Sequence, residues 1–316
     1  MGRASKPRAG SLQFWPRKRA KRIYPSIRSY PKIDDTKLLG FLGYKVGMTH
    51  VQVQETNPSL KTASYTRNYP VTILECPPIK LFSIRFYKNT DYGLKVITEV
   101  VASNLNKELS RKVALPKAIK SAYPDVFDDL RVLVYTQPKL AYGKKKPEIL
   151  ELAIAGSKEE KLNYAKSLLN KEIKVSEIFN NNQYVDVHAV TKGYGFQGAV
   201  RRHHIDLRSH KSEKGRRKNI YGSQRPGKIH WGMPMPGQTG YNTRTEYNKL
   251  ILKISNDLKD INPKSGFNNY GIIKNDYVLI KGSIPGAKKR LIVITYPLRF
   301  KKLLQSEVKY IKKWIY

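Results

Sequence analysis

Gly193-Tyr194-Gly195-Phe196-Gln197-Gly198 spells a phosphate-cradling G-x-G-x-x-G loop after an expected strand, and with Val200 it also spells the glycine loop of a kinase. Such a loop works with a helix behind it, whose N-terminus holds the phosphate, and with an acid about 20 residues further on. Here Arg201, Arg202, His203 and His204 stand where that helix would start, and no acid lies at that distance beyond Gly198. No V-A-I-K, H-R-D or D-F-G follows to support a kinase. The glycines read instead as a flexible turn that lets the main chain approach a phosphate closely.

Five of the six histidines, His188, His203, His204, His210 and His230, fall within or beside the same stretch. His204 and His210 have a spacing that zinc can use, but a closed zinc site needs further ligands, and Cys76 is the only cysteine. Asp206 and Glu213 alone cannot hold the two magnesium ions of a nuclease. No metal, cofactor or catalytic residue is therefore expected, and the histidines are expected to stack or hydrogen-bond on nucleic acid.

The charge explains why. The chain has 316 residues, with 60 Lys plus Arg against 24 Asp plus Glu, a net charge of +36, and 40% apolar residues. That apolar content is enough for a sizeable core, while the charge repels itself until a polyanion neutralises it. A membrane surface is the rival polyanion, but no apolar run approaches the roughly 20 residues of a spanning helix. Residues 1–32 hold ten Lys or Arg and no acid, and residues 191–245 hold twelve against two acids, whereas residues 99–180 hold fifteen against eleven. Two basic extensions thus flank or interrupt a nearly balanced body. The arm interleaves its cations with Phe196, Tyr221, Trp231 and Tyr241, a mixture in which Arg forks onto phosphate and rings stack on splayed bases. A disordered basic linker shares that composition.

The elements that must position these residues read as strands and a few helices. Short β-branched and aromatic runs predict strands at 38–43, 71–75, 80–87, 94–101, 131–136, 149–155, 184–191, 249–255, 277–281 and 291–296, with another around Val46, Met48, Val51 and Val53. Ser157 and Glu160 form a capping box that starts a helix with Leu162, Ala165 or Lys166, and Leu169 on its apolar side. A second helix is expected within Lys107 to Asp129, limited by Pro116 and Pro124. About 55 residues from Lys192 to Glu246 lack any apolar period and read as a basic arm. The first 33 residues superficially suit an organellar transit peptide, but Pro7, Pro16, Pro25 and Pro31 break the helix it needs, so a cytoplasmic location is expected.

The segments Gly10-Ser-Leu-Gln-Phe-Trp-Pro-Arg-Lys-Arg-Ala20, Gly40-Phe-Leu-Gly-Tyr-Lys-Val-Gly-Met-Thr-His50, Val190-Thr-Lys-Gly-Tyr-Gly-Phe-Gln-Gly198, Pro236-Gly-Gln-Thr-Gly-Tyr241 and Lys281-Gly-Ser-Ile-Pro-Gly-Ala-Lys-Lys-Arg290 carry a resemblance. Over nearly its whole length the chain resembles the large-subunit ribosomal protein three (L-three) family in its archaeal and eukaryotic form. The resemblance implies a β-rich α+β fold: a closed antiparallel β-barrel body with a helical insertion, a basic N-terminal tail and a long central basic arm. It implies a layout of tail 1–37, first barrel part 38–104, α/β insertion 105–183, barrel strand 184–192, arm 193–246, last barrel part 247–298 and basic C-terminal tail 299–316.

It also implies a structural role, binding ribosomal RNA early near the 3′ end of the large-subunit RNA and extending the arm toward the peptidyl transferase centre. Neighbouring proteins of the fourteen and twenty-four-e families are the implied protein partners. At the arm tip Gln224 stands where eukaryotic members carry Trp, so what rests on that Trp does not transfer, and Trp231 lies seven residues later. Charge and resemblance together assign RNA contacts to Arg3, Lys6, Arg8, Trp15, Arg17, Lys18, Arg19, Lys21 and Arg22 in the tail. In the arm they assign Lys192, Arg201, Arg202, His203, His204, Arg208, His210, Lys211, Lys214, Arg216, Arg217, Lys218, Tyr221, Gln224, Arg225, Lys228, His230, Trp231 and Arg244. Lys288, Lys289 and Arg290 complete the set. An RNA-processing enzyme is disfavoured because the arm has no acid pair or nucleophile, and a DNA-compacting protein because no groove-reading helix or repeated basic module is visible.

Overall fold

The run Gly40–Glu55 forms a single strand, β1, in the computed structural model, which describes residues 10–55, 65–116, 123–207, 209–212, 231–299 and 306–313. Its first half is buried on both faces, while beyond Gly47 burial alternates, with Thr49, Val51 and Val53 inward and Met48, His50 and Gln52 outward. A bulge between Lys45 and Gly47 separates the halves, and it explains why the sequence reads there as two strands. Gly43 is required by close packing: a Cβ there would lie 2.9 Å from Cys76 Sγ.

Further strands follow as β2 (Thr66–Glu75), β3 (Ile79–Thr90), β4 (Gly93–Val101), β5 (Asp129–Tyr135), β6 (Ile149–Ala153), β7 (Glu172–Ile173) and β8 (Tyr184–Val190). After them come β9 (Gly193–Gln197), β10 (Gly237–Gly240), β11 (Thr243–Ser255), β12 (Tyr277–Lys281), β13 (Leu291–Thr295) and β14 (Ser306–Ile311). The described helices are short: α1 (Pro138–Tyr142), α2 (Lys158–Leu168), α3 (Ala199–His203) and α4 (Leu258–Ile261). The fold is β-rich α+β. Every strand read from the β-branched runs is present, and α2 starts at the capping box, with Ser157 and Glu160 each satisfying the other's backbone N–H.

Two units divide the chain: residues 1–22 with 190–243, and residues 23–189 with 244–316. The larger holds a seven-stranded sheet in the order β13-β8-β11-β12-β2-β1-β14, with β13 also paired to β1, and a five-stranded sheet in which β4, β3, β5 and β6 run side by side and β7 pairs β3. Both sheets contribute to one apolar core. At its centre β8, Tyr-Val-Asp-Val-His-Ala-Val, is buried at every residue, because a strand covered on both faces has no polar side to show. Glu75 and Asp186 are among the acids buried there. Glu75 accepts from the Tyr270 hydroxyl at 2.5 Å, the Lys274 and Asn275 amides at 2.9 and 3.0 Å, and Asn275 Nδ2 at 2.7 Å. Asp186 accepts from the amides of Asn248 and Leu298.

Of the stretch 107–129 where a second helix is expected, the described residues hold a 3-10 turn at Lys107–Arg111, and residues 117–122 lie outside the described residues. β3 and β4 belong to the five-stranded sheet and not to the seven-stranded one that holds β1 and β2. The C-terminal tail is not simply a tail. β14 pairs antiparallel with Val51–Glu55 of β1, on the edge β13 vacates beyond Tyr44, and Ile311 is buried there. Tyr24 is buried in the larger unit with Lys112 over its ring.

Candidate nucleic-acid interface

The smaller unit carries nineteen Lys or Arg against only Asp206 and Glu213. Its framework is a two-stranded ribbon, β9 against β10, with Gln197 facing Gly237, Phe196 facing Gln238 and Gly195 facing Thr239. The G-x-G-x-x-G run therefore lies in a β-ladder. A helix does follow it, α3, but it is a single turn carrying Arg201, Arg202 and His203, and not the amphipathic helix of a nucleotide site.

The tail is bound to this ribbon through one arginine. Arg202 donates from Nε to Gln238 O (3.1 Å), from Nη1 to Met235 O (2.8 Å) and Pro236 O (3.4 Å), and from Nη2 to Arg17 O (3.4 Å). Arg17 returns the contact, its Nη1 donating to Arg202 O at 2.8 Å. Gly237 makes room for the guanidinium: a Cβ there would lie 2.9 Å from Arg202 Nη1. Burial and the Arg17 charge push the Arg202 pKa down, yet an arginine stays charged at any physiological pH.

Aromatic packing closes the same joint. The Trp15 ring stacks on His203 at 5.7 Å and 28°, meets the Trp231 ring edge-on at 5.7 Å and 85°, and has Arg17 Cζ 5.3 Å from its centroid. Along the tail, Ala20 N donates to Tyr241 O and Asn242 Nδ2 donates to Lys18 O. Tyr241 N donates in turn to Lys192 O, Thr191 N donates to Asn242 O, and Asn242 N donates to Thr191 Oγ1. Tyr241 sits at φ +54° with its ring 3.4 Å from where a Gly193 Cβ would be.

The expected RNA contacts thus divide. Lys18, Arg19, Lys21, Arg22, Lys192, Arg201, His204, His210 and Lys211 are exposed. Arg202, Trp15, Arg17 and His203 are not simply presented to solvent: their polar or flat faces are spent on one another and on main-chain carbonyls, because the tail needs a partner for its own backbone. Tyr241 is likewise packed. Arg244 is half-buried, and Lys288, Lys289 and Arg290 lie in the larger unit, where Lys288 Nζ donates to Asn268 O. Arg3, Lys6, Arg8, Arg208, Lys214, Arg216, Arg217, Lys218, Tyr221, Gln224, Arg225, Lys228 and His230 lie outside the described residues. The sequence reading passed over Gly237, Gln238 and Asn242. The Pro236-Gly-Gln-Thr-Gly-Tyr241 run, with its paired glycines, was the available signal for a close main-chain crossing.

His188 is a second correction. It is 8% exposed in β8, with Nδ1 against Thr245 Oγ1 at 2.9 Å and Nε2 against Thr295 Oγ1 at 3.0 Å. Burial lowers its pKa, with Asp186 opposing. The folded protein resists a proton that the unfolded chain accepts near pH 6.5, so this stability is present above that pH and is lost as pH falls below it. His188→Gln is expected to flatten the fall in unfolding midpoint between about pH 7 and pH 5. A fall as steep as the wild type's would place the acid sensitivity elsewhere. Cys76, also named above, is 1% exposed, and burial raises its thiol pKa far from a nucleophile's range.

A family model described as "Ribosomal protein L3" matches residues 1–315. Proteins named large ribosomal subunit protein uL3 are similar over nearly their full length. That of Methanobrevibacter smithii is 47% identical over 314 residues, 95% of this chain and 94% of the relative. That of Methanocaldococcus jannaschii is 47% identical over 308 residues, 93% and 92% of the two chains, and that of Archaeoglobus fulgidus 45% over 298, 91% and 90%.

Proposed function

The chain belongs to the ribosomal protein L3 family, and on that premise we propose that its smaller, cationic unit enters ribosomal RNA as one preassembled wedge. It is a structural protein of the large ribosomal subunit, not an enzyme. It binds ribosomal RNA and other ribosomal proteins, and it works where that subunit sits, in the cytoplasm. The observation that carries the wedge is the reciprocal Arg17–Arg202 clamp, which joins residues 185 positions apart inside a unit with nineteen cations and two acids.

In this reading Lys18, Arg19, Lys21, Arg22, Lys192, Arg201, His204, His210, Lys211, Arg244, Lys288, Lys289 and Arg290 meet phosphate and sugar. Trp15, Arg17, Arg202 and His203 set the shape they fit. Arg3, Lys6, Arg8, Arg208, Lys214, Arg216, Arg217, Lys218, Tyr221, Gln224, Arg225, Lys228, His230 and Trp231 extend the contact. The arm reaches toward the peptidyl transferase centre, binding nucleates assembly near the 3′ end of the RNA, and proteins of the fourteen and twenty-four-e families abut the body. The sheet supports a closed barrel as the platform, since β1 pairs β13 through Gly40–Tyr44 and β2 through Tyr44–Gln54, which returns six strands to the first.

Binding to a large-subunit RNA fragment is expected to weaken with salt, with a log–log slope of about 0.7 to 0.9 per phosphate neutralised. Changing Lys18, Arg19, Lys21 and Arg22 together to Gln is expected to reduce that slope by roughly 3, whatever the RNA sequence. A salt response that is flat, or that the four changes leave intact, would count against the wedge.

A further inference from the structure

Of the described rings interleaved with the arm's cations, Phe196 is the most exposed. Tyr241 is packed under Gly193, and Trp231, 71% exposed, already meets the Trp15 ring in a T-shaped contact. Tyr194 lies over Gly240, whose Cβ would come within 3.1 Å of its ring, and has Arg201 Cζ 5.1 Å from its centroid. Phe196 is 77% exposed at the middle of the ribbon. Gly195 before it and Gly198 two residues after it face open space: a Cβ at either would meet nothing within 4 Å. An apolar ring bordered by bare main chain leaves room for a flat partner to lie against it.

We propose that Phe196 is the stacking platform for a single unpaired RNA base, taken without regard to its identity, with Arg201 serving the adjoining phosphate. The inference rests on the RNA-binding reading above and adds to it the class of ligand and the lack of base selection. Indifference to base follows from the neighbours. Reading a base edge needs an uncommitted donor or acceptor beside the ring. The donors of the two flanking amides are turned to main-chain carbonyls, Gln197 Nε2 to Tyr194 O at 2.7 Å and Gln238 Nε2 to Thr239 O and Gly240 O at 3.3 Å each. Stacking asks only for a π-face, which every base has. Arg201, held over Tyr194, keeps its charge on the same ribbon and adds a contact that depends on phosphate alone.

The test uses the full-length protein and short single-stranded oligoribonucleotides carrying 2-aminopurine, whose fluorescence is quenched on stacking, next to an abasic control with the same phosphates. The wild type is expected to bind the base-bearing strand more tightly than the abasic one and to quench it. Phe196→Ala is expected to lose about tenfold in affinity and most of the quench for the base-bearing strand, with abasic binding unchanged. Phe196→Trp should retain both, Phe196→Leu, which keeps apolar area without the ring, should behave as Ala does, and strands with A, C or U at the site should bind alike within a few-fold. Arg201→Ala should weaken both strands equally. Binding by the wild type with no loss in Phe196→Ala, or full retention in Phe196→Leu, overturns the platform and leaves RNA binding intact. A wild type that binds neither strand removes the RNA-binding reading itself.

Discussion

In Arg202→Lys the tail is expected to come loose from the ribbon while the larger unit keeps its unfolding midpoint. Lysine preserves the charge but replaces a rigid fork by a single ammonium, which can reach one or two of the four carbonyls now served by Nε, Nη1 and Nη2. A hydrogen bond from a charged donor contributes about 1.5 to 3 kcal/mol, so losing two of these part-buried bonds costs roughly 3 kcal/mol in the local opening of this joint. Amide exchange at Ala20 and Tyr241, whose N–H groups donate to Tyr241 O and Lys192 O, is then expected to speed up on the order of 100-fold. RNA affinity is expected to fall with an unchanged salt slope, because the charges remain and only the order of the chain is lost. Exchange rates equal to the wild type's would mean that the clamp does not hold the tail.

Glu75→Ala is expected to have the largest effect on the body. The carboxylate is fully buried and takes four donors, from Tyr270, Lys274 and both nitrogens of Asn275. Burial and the adjacent Glu75 charge raise the Tyr270 pKa well beyond its ordinary value, so the phenol is a firm donor at any working pH. Removing one partner from such a buried charged network costs about 3 to 5 kcal/mol, because the remaining donors stay buried without acceptors. For a unit of this size that corresponds to a fall of roughly 10 °C in Tm. Glu75→Gln, which keeps one acceptor oxygen, is expected to fall between the two. Near-UV circular dichroism on heating provides the measurement, and a shift of only a degree or two would show that water satisfies the donors. The same substitution loosens the loop from Asn262 to Asp276, where Asn268 O receives the Lys288 ammonium, so it also disturbs one of the expected RNA contacts.

The sequence alone determined whatever depends on neighbours along the chain. Strands at Lys80 to Tyr87 and Tyr277 to Lys281 follow from β-branched and aromatic runs between breakers, and α2 from a capping box three residues wide. The segregation of cations into tail and arm is a matter of composition, and with it came the polyanionic partner, whereas the family resemblance came from the order of local sequence segments such as Pro236-Gly-Gln-Thr-Gly-Tyr241.

Only the tertiary structure decided the rest, because a polar side chain takes its role from long-range pairing. Arg201 and Arg202 are adjacent and of one type, yet one stands exposed over Tyr194 while the other is bonded to Arg17, Met235, Pro236 and Gln238. His188 and His204 look alike in a histidine-rich stretch, but β8 carries the first into a dry interior between Thr245 and Thr295. β14 escaped notice because its six residues are half polar and mostly exposed, and what makes them a strand is the free edge of β1, some 250 residues earlier. Local pattern specifies the elements, but desolvation and the fate of each hydrogen bond are set by what the fold brings alongside, and that separates a cation that meets RNA from one that holds the protein together.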